Sequence, residues 1–156
     1  MASRSTLRTG RAAVPFAARW LTGLGVIPFL ALAPLAAFTD PYVEDHATVA
    51  LLVYGAVILS FIGGIRWGLA IAPGRSASAP ALWQELTVSV APSLLAWLAL
   101  LMPAGMPPLA LSVGFAVMLL ADWRAARRGL APAWYPRLRW PPTLAAIASL
   151  LLAAFL

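Results

Sequence analysis

The chain contains no cysteine, which excludes disulfides, thiolate metal sites and cysteine nucleophiles. It has a single histidine, His46, so neither a multi-histidine metal site nor bis-histidine haem ligation can be built. Lysine is absent, and all eleven basic residues are arginine. Charge of either sign is scarce at 10%, against roughly 25% in a soluble domain. Catalytic fingerprints are missing as well: there is no Gly-x-Ser-x-Gly elbow, no His-Glu-x-x-His, no P-loop and no Rossmann glycine pattern. No cofactor, no metal and no enzymatic activity are therefore expected. What remains is apolar: 62% of the residues are hydrophobic and the mean hydropathy is +0.87. A water-facing surface cannot be built from so few polar groups, so the solvent must be lipid.

A helix needs about 20 apolar residues to cross a hydrocarbon core of about 30 Å. Five runs approach that length, at about residues 21–38, 46–66, 85–102, 106–122 and 141–156. The last is short, ends with the chain, and could begin nearer Trp140. Apolar/polar alternation of the kind a transmembrane barrel shows is absent, and lone strands cannot satisfy their backbone in lipid. The expected fold class is all-α, a polytopic membrane bundle of about five transmembrane helices. It would comprise an arginine-rich arm over residues 1–19 and one transmembrane domain over residues 20–156. Turns are expected at Asp40-Pro41, Pro73-Gly74, 103–108 and 132–142, while Pro28, Pro34 and Pro92 fall inside runs and should kink them.

The arginines fix an expected orientation. Arg4, Arg8, Arg11 and Arg19 precede the first run; Arg66 and Arg75 follow the second; Arg124, Arg127, Arg128, Arg137 and Arg139 follow the fourth. The other two connections carry none, only Asp40, Glu44, Asp45 and His46. Arginine on alternate sides reads, by the positive-inside rule, as N-in and C-out. Trp20, Trp67, Trp83, Trp123, Trp134 and Trp140 fall at the same ends, as an interfacial aromatic belt does. The expected location is a bacterial inner membrane. The acid-free, Arg- and Ser-rich arm also fits a mitochondrial transit peptide, so a mitochondrial inner membrane is the second reading. A pI near 11.4 would suit nucleic acid, but topology already accounts for the arginines, and nucleic acid is not an expected partner. Anionic lipid is, especially at the Trp134–Trp140 segment, where aromatics and arginines interleave.

The second run is the most unusual. Small residues recur every four positions at Ala56, Ser60, Gly64 and Gly68, the spacing that lets two helix backbones approach closely. The expected use is packing inside the bundle, with a second copy or another membrane protein as the alternative. The stretch Tyr54-Gly55-Ala56-Val57-Ile58-Leu59-Ser60-Phe61-Ile62-Gly63-Gly64-Ile65-Arg66-Trp67-Gly68 resembles the signature of the transmembrane-protein-69-like family. Gly25-Val26-Ile27-Pro28-Phe29, Ala91-Pro92-Ser93 with Trp97, and Pro132-Ala133-Trp134-Tyr135 with Leu138-Arg139 look similar too, so the resemblance covers about residues 20–156. It implies a multipass protein of proteobacterial or mitochondrial membranes. It implies no activity and no catalytic residue.

Three charged residues border apolar runs on the arginine side: Arg66, Glu85 and Asp122. They could converge across three helices as a structural ion pair with lipid contact, or as an anion, headgroup or proton site. The outer acids and His46 are expected to be solvated and interfacial. The leading functional expectation is a structural, assembly or accessory component of a membrane complex. The alternative is a small-solute or ion transporter with a site near the inner end of the second helix, and a lipid-modifying enzyme ranks third.

Overall fold

The computed structural model describes residues 13–72 and 78–155. Arg4, Arg8 and Arg11 of the arm, the Pro73-Gly74 turn, Arg75 and Leu156 lie outside the described residues. Among the described residues six helices follow one another: α1 (Phe16–Leu24), α2 (Ile27–Phe38), α3 (Pro41–Ala70), α4 (Ala79–Leu100), α5 (Met106–Arg127) and α6 (Tyr135–Phe155). α1 and α2 together make one apolar stretch, so the chain is an all-helical bundle of five rods. Four of them, Phe16–Phe38, α3, α5 and α6, are long and apolar enough to cross a membrane by length and composition. α4 has the length, at 22 residues, but Gln84 and Glu85 in its second turn and Pro92 at its middle lower its apolarity.

Short connections make sequential neighbours antiparallel. The rods form a ring in which α2 packs on α3, α3 on α4, α4 on α5, α5 on α6, and α6 back on α2. α3 also touches α5 and α6, so it is the rod around which the others are arranged. The core runs along it: Leu51, Leu59 and Ile62 of α3 meet Leu111 and Phe115 of α5 and Leu150 of α6, all essentially inaccessible. Phe29 of α2 stands edge-on to both Tyr54 and Phe115, with ring centroids 5.0 and 6.0 Å apart. Outward-facing side chains are apolar too, among them Val53, Val57, Phe61, Leu94, Val113 and Val117. That arrangement is stable only where the surrounding medium is hydrocarbon.

α1 starts at Phe16 rather than residue 21, α3 ends at Ala70 rather than residue 66, and α4 starts at Ala79 rather than residue 85, where Pro80 fits a first helical turn. Four further helix ends depart from the sequence expectation, each for a local reason. The first run is broken at Gly25-Val26, because Pro28 has no N–H to give the carbonyl one turn back. The Tyr54 hydroxyl donates to the Gly25 carbonyl at 2.8 Å, satisfying an acceptor that the break exposes. α3 starts at Pro41 rather than residue 46, because Asp40 caps it by accepting from the Tyr42 and Val43 amides at 3.2 and 3.3 Å. Glu44, Asp45 and His46 thus sit on the helix itself, and His46 Nδ1 lies 2.7 Å from the Tyr42 carbonyl oxygen. α5 runs past Asp122 to Arg127 and stops where Gly129 takes a φ of 71°. There the Leu130 and Gly129 amides donate to the Ala125 and Ala126 carbonyls, the paired closure of a Schellman end. α6 starts at Tyr135, not residue 141, and carries Pro141 and Pro142 within it. Only the carbonyls of Arg137 and Leu138, in its first turns, lose a donor, so the prolines read as a turn are absorbed near a helix start.

Candidate functional site

All five rods place one end at a common level, where α1, α4 and α6 begin and α3 and α5 finish. Arg19, Arg66, Arg124, Arg127, Arg128, Arg137 and Arg139 belong to that end, and Asp40, Glu44 and Asp45 to the other.

Arg66 is built into the buried stripe of α3. Leu59, Ile62, Arg66 and Ala70 follow one another at three- and four-residue steps, the period of one helix face, with Gly63 beside them. Its guanidinium therefore points into the bundle and is only 6% exposed. Asp122 occupies the corresponding stripe of α5, after Leu111, Phe115 and Met118, and is 1% exposed. Glu85 stands in the second turn of α4. The structure brings these three together: Arg66 Nη2 donates to Glu85 Oε2 at 3.2 Å, and Nη1 donates to Asp122 Oδ1 at 3.3 Å.

A fourth charge joins them. Arg139 Nε approaches the second oxygen of Asp122, Oδ2, at 3.6 Å, an ion-pair contact beyond hydrogen-bond length. Two guanidinium groups and two carboxylates thus alternate from α4 through α3 and α5 to α6, formally neutral. Neutral pairing is what makes such burial tolerable, since an isolated charge in this medium would cost several kcal/mol or more. Arg66 Nε, the Tyr135 hydroxyl and the Thr143 hydroxyl are buried without a hydrogen-bond partner among the described residues. A last helix begun at residue 141 leaves Arg139 and Tyr135 in the interfacial, lipid-contacting segment instead of the buried network. Running its face back from Leu150 and Ala146 through Thr143 reaches Arg139 and then Tyr135 at four-residue steps, and that periodicity was the available signal.

The small-residue stripe of α3 is only partly an internal contact. Ala56 is buried and Ser60 half-buried, but Gly64 and Gly68 are exposed, with open space where a Cβ would stand. Four residues turn a helix by about 400°, so a strict four-residue stripe drifts out of an interface that follows 3.6. The internal close approach falls one residue earlier. A Cβ on Gly63 would run into the Ser89 carbonyl oxygen and the Pro92 ring of α4. Among the described residues no group of three or more His, Asp or Glu side chains converges to hold a metal.

Comparison with known proteins places this architecture. The family described as "Protein of unknown function (DUF3429)" matches residues 14–155. "Transmembrane protein 69" of Xenopus tropicalis is 39% identical over 136 residues, 87% of this chain and 53% of that protein. "Transmembrane protein 69" of Mus musculus is 38% identical over 87 residues, 56% of this chain and 34% of that protein. The chain thus spans about half the length, or less, of these curated relatives. No solved structure matches. The apolar helices and a match running from the start of α1 to the end of α6 lead to one assignment: this membrane protein belongs to the DUF3429, transmembrane-protein-69-like family, whose activity is unknown.

Proposed function

We propose that the chain is a structural, assembly or accessory component of a larger membrane complex, joined to it through the outer face of α3. The observation that carries this reading is the outward position of Gly64 and Gly68, two open backbone sites four residues apart on a helix otherwise flanked by Val57, Phe61 and Trp67. In lipid there is no hydrophobic gain from helix association, so contacts come from backbones that can approach closely, and paired small residues permit that. Trp67 extends the face into an apolar groove shared with Leu86, Val90 and Leu94 of α4. The transporter reading placed its site at Arg66, but that guanidinium is enclosed by two carboxylates and gains no support as part of a solute path.

Extraction in a mild detergent, followed by size analysis and identification of co-purifying chains, tests the proposal. Wild type should travel with a second copy or another membrane protein. The Gly64→Leu, Gly68→Leu double variant should travel alone while unfolding at the wild-type temperature. Identical assembly size for the two proteins would overturn the reading.

The proposed membrane is a bacterial inner membrane, with the arginine end in the cytoplasm. Support comes from charge: every described arginine belongs to one end of the bundle and the acids Asp40, Glu44 and Asp45 to the other. Reporters fused after Asp45 and at the C-terminus should be periplasmic, and one after Arg128 cytoplasmic. A cytoplasmic C-terminal reporter would overturn the orientation.

A further inference from the structure

A cavity of about 330 Å³ opens between α1, α2, α3 and α6. Phe29, Ile58, Ile65 and Phe115 give it an apolar wall that reaches the innermost core, since Phe29 and Phe115 are 2% and 1% exposed. Beside it, between α1 and the first turns of α6, lies a groove of about 500 Å³. Arg19 and Arg137 line this groove. The two spaces share Thr22, Val26, Leu138 and Pro142 as a common rim.

The charges differ between the two halves. Of the five acids in the chain, Asp40, Glu44 and Asp45 belong to the opposite end, and Glu85 and Asp122 are engaged by Arg66 and Arg139. Arg19 and Arg137, both exposed, therefore have no side-chain carboxylate among the described residues to pair with. Their counter-charge must come from outside, and a guanidinium at a membrane interface matches a phosphate with its forked donors. Trp20 and Trp140, both exposed, stand next to this groove in sequence and mark headgroup depth. Deeper in, the Tyr135 and Thr143 hydroxyls belong to residues lining the cavity and find no hydrogen-bond partner among the described residues. Their donors are of the kind an ester carbonyl accepts.

We infer that this is a binding site for one anionic glycerophospholipid. Its phosphate lies on Arg19 and Arg137, and one acyl chain passes Thr22 and Leu138 into the cavity beside Phe29. The phosphate end of the site uses α1 and α6, whereas the acyl end borders α3 at Ile58, Phe61 and Ile65. Basic pockets between transmembrane helices are an established mode of anionic headgroup binding, and the cavity is within the size range of ligand sites.

Native mass spectrometry of the delipidated full chain, titrated with phosphatidylglycerol or phosphatidylcholine carrying the same acyl chains, tests it. Phosphatidylglycerol should bind at least about tenfold more tightly, and the exposed double change Arg19→Gln, Arg137→Gln should remove about that factor. Thr22→Trp, which fills the rim shared by groove and cavity, should weaken both lipids while the Arg66–Asp122 end keeps its melting temperature. Equal binding of the two lipids, or undiminished phosphatidylglycerol binding by the double variant, would overturn the headgroup assignment. Undiminished binding by Thr22→Trp would overturn the cavity as the acyl site.

Discussion

Asp122→Ala is expected to destabilise the protein by about 3–5 kcal/mol, read as a loss of unfolding temperature or denaturant midpoint in detergent. The size follows from position. Asp122 is 1% exposed and, among the described residues, is the one carboxylate that touches both buried guanidinium groups, at 3.3 Å to Arg66 and 3.6 Å to Arg139. Removing it converts a neutral set of four charges into two cations and one anion, with Arg139 left 11% exposed and without an acid. Neither arginine can lose its proton to escape. Asp122→Asn keeps an acceptor of the same shape and should recover part of the loss. Glu85→Gln should cost less than Asp122→Ala, because the Glu85 side chain is 18% exposed and water can replace it. Arg66→Lys keeps the charge but offers one ammonium where two terminal nitrogens now serve two carboxylates on different helices, so about 1–3 kcal/mol should go. A change of less than about 1 kcal/mol for Asp122→Ala, the range of exposed pairs, would mean that the network does not hold these helices together.

How much of this arrangement could be read from residue order depended on which physical signal each part leaves in the chain. The rods were legible because lipid solvation demands long apolar runs, and such runs are visible without any partner. Arg66, Glu85 and Asp122 were legible as a group because each borders such a run at the same end. That Arg66 takes both carboxylates, rather than one of them or a lipid headgroup, was not, since a boundary position gives depth but not the direction in which a side chain turns. Arg139 shows the cost of a wrong helix start. With the last helix begun at residue 141 it belonged to a loop and could face anything. With α6 begun at Tyr135 it lies on the same face as Thr143 and Leu150 and must point inward. The proline-rich stretch concealed that start, because Pro141 and Pro142 signal a break everywhere except in the first turns of a helix. The α3 break-free length was hidden by the opposite prejudice: Glu44, Asp45 and His46 look like loop, yet Asp40 and Pro41 supply a cap and a first turn that carry them onto the helix.

The adjacent glycines of α3 provide the second large effect, and they should behave as opposites. Gly63→Leu is expected to cost well over the about 1–3 kcal/mol of ordinary overpacking and to abolish the folded bundle in marginal detergents. Even the first carbon of a side chain there meets the Ser89 carbonyl and lies 3.3 Å from Cγ of Pro92. Both neighbours are stiff: one is α4 backbone, the other a ring fixed within that helix by Pro92 itself. α4 would have to move away from α3, and Glu85, seven residues earlier on the same helix, would be drawn off Arg66. Gly63→Ala should already be harmful, because the clash is with the Cβ. Gly114 is a milder case, since its Cβ would meet the ends of Leu59 and Leu95 at 2.6 and 2.9 Å, and leucine ends can change rotamer. Gly64→Leu should leave the unfolding of the isolated chain within about 0.5 kcal/mol of wild type, as surface changes do. Beyond the adjoining residues and backbone of α3 itself, no described atom lies within 4 Å of the added carbon. Equal stability of Gly63→Leu and Gly64→Leu would show that the α3–α4 approach is looser than the structure has it. A loss confined to Gly64→Leu would put the contact on the four-residue stripe that the helix period carries outward.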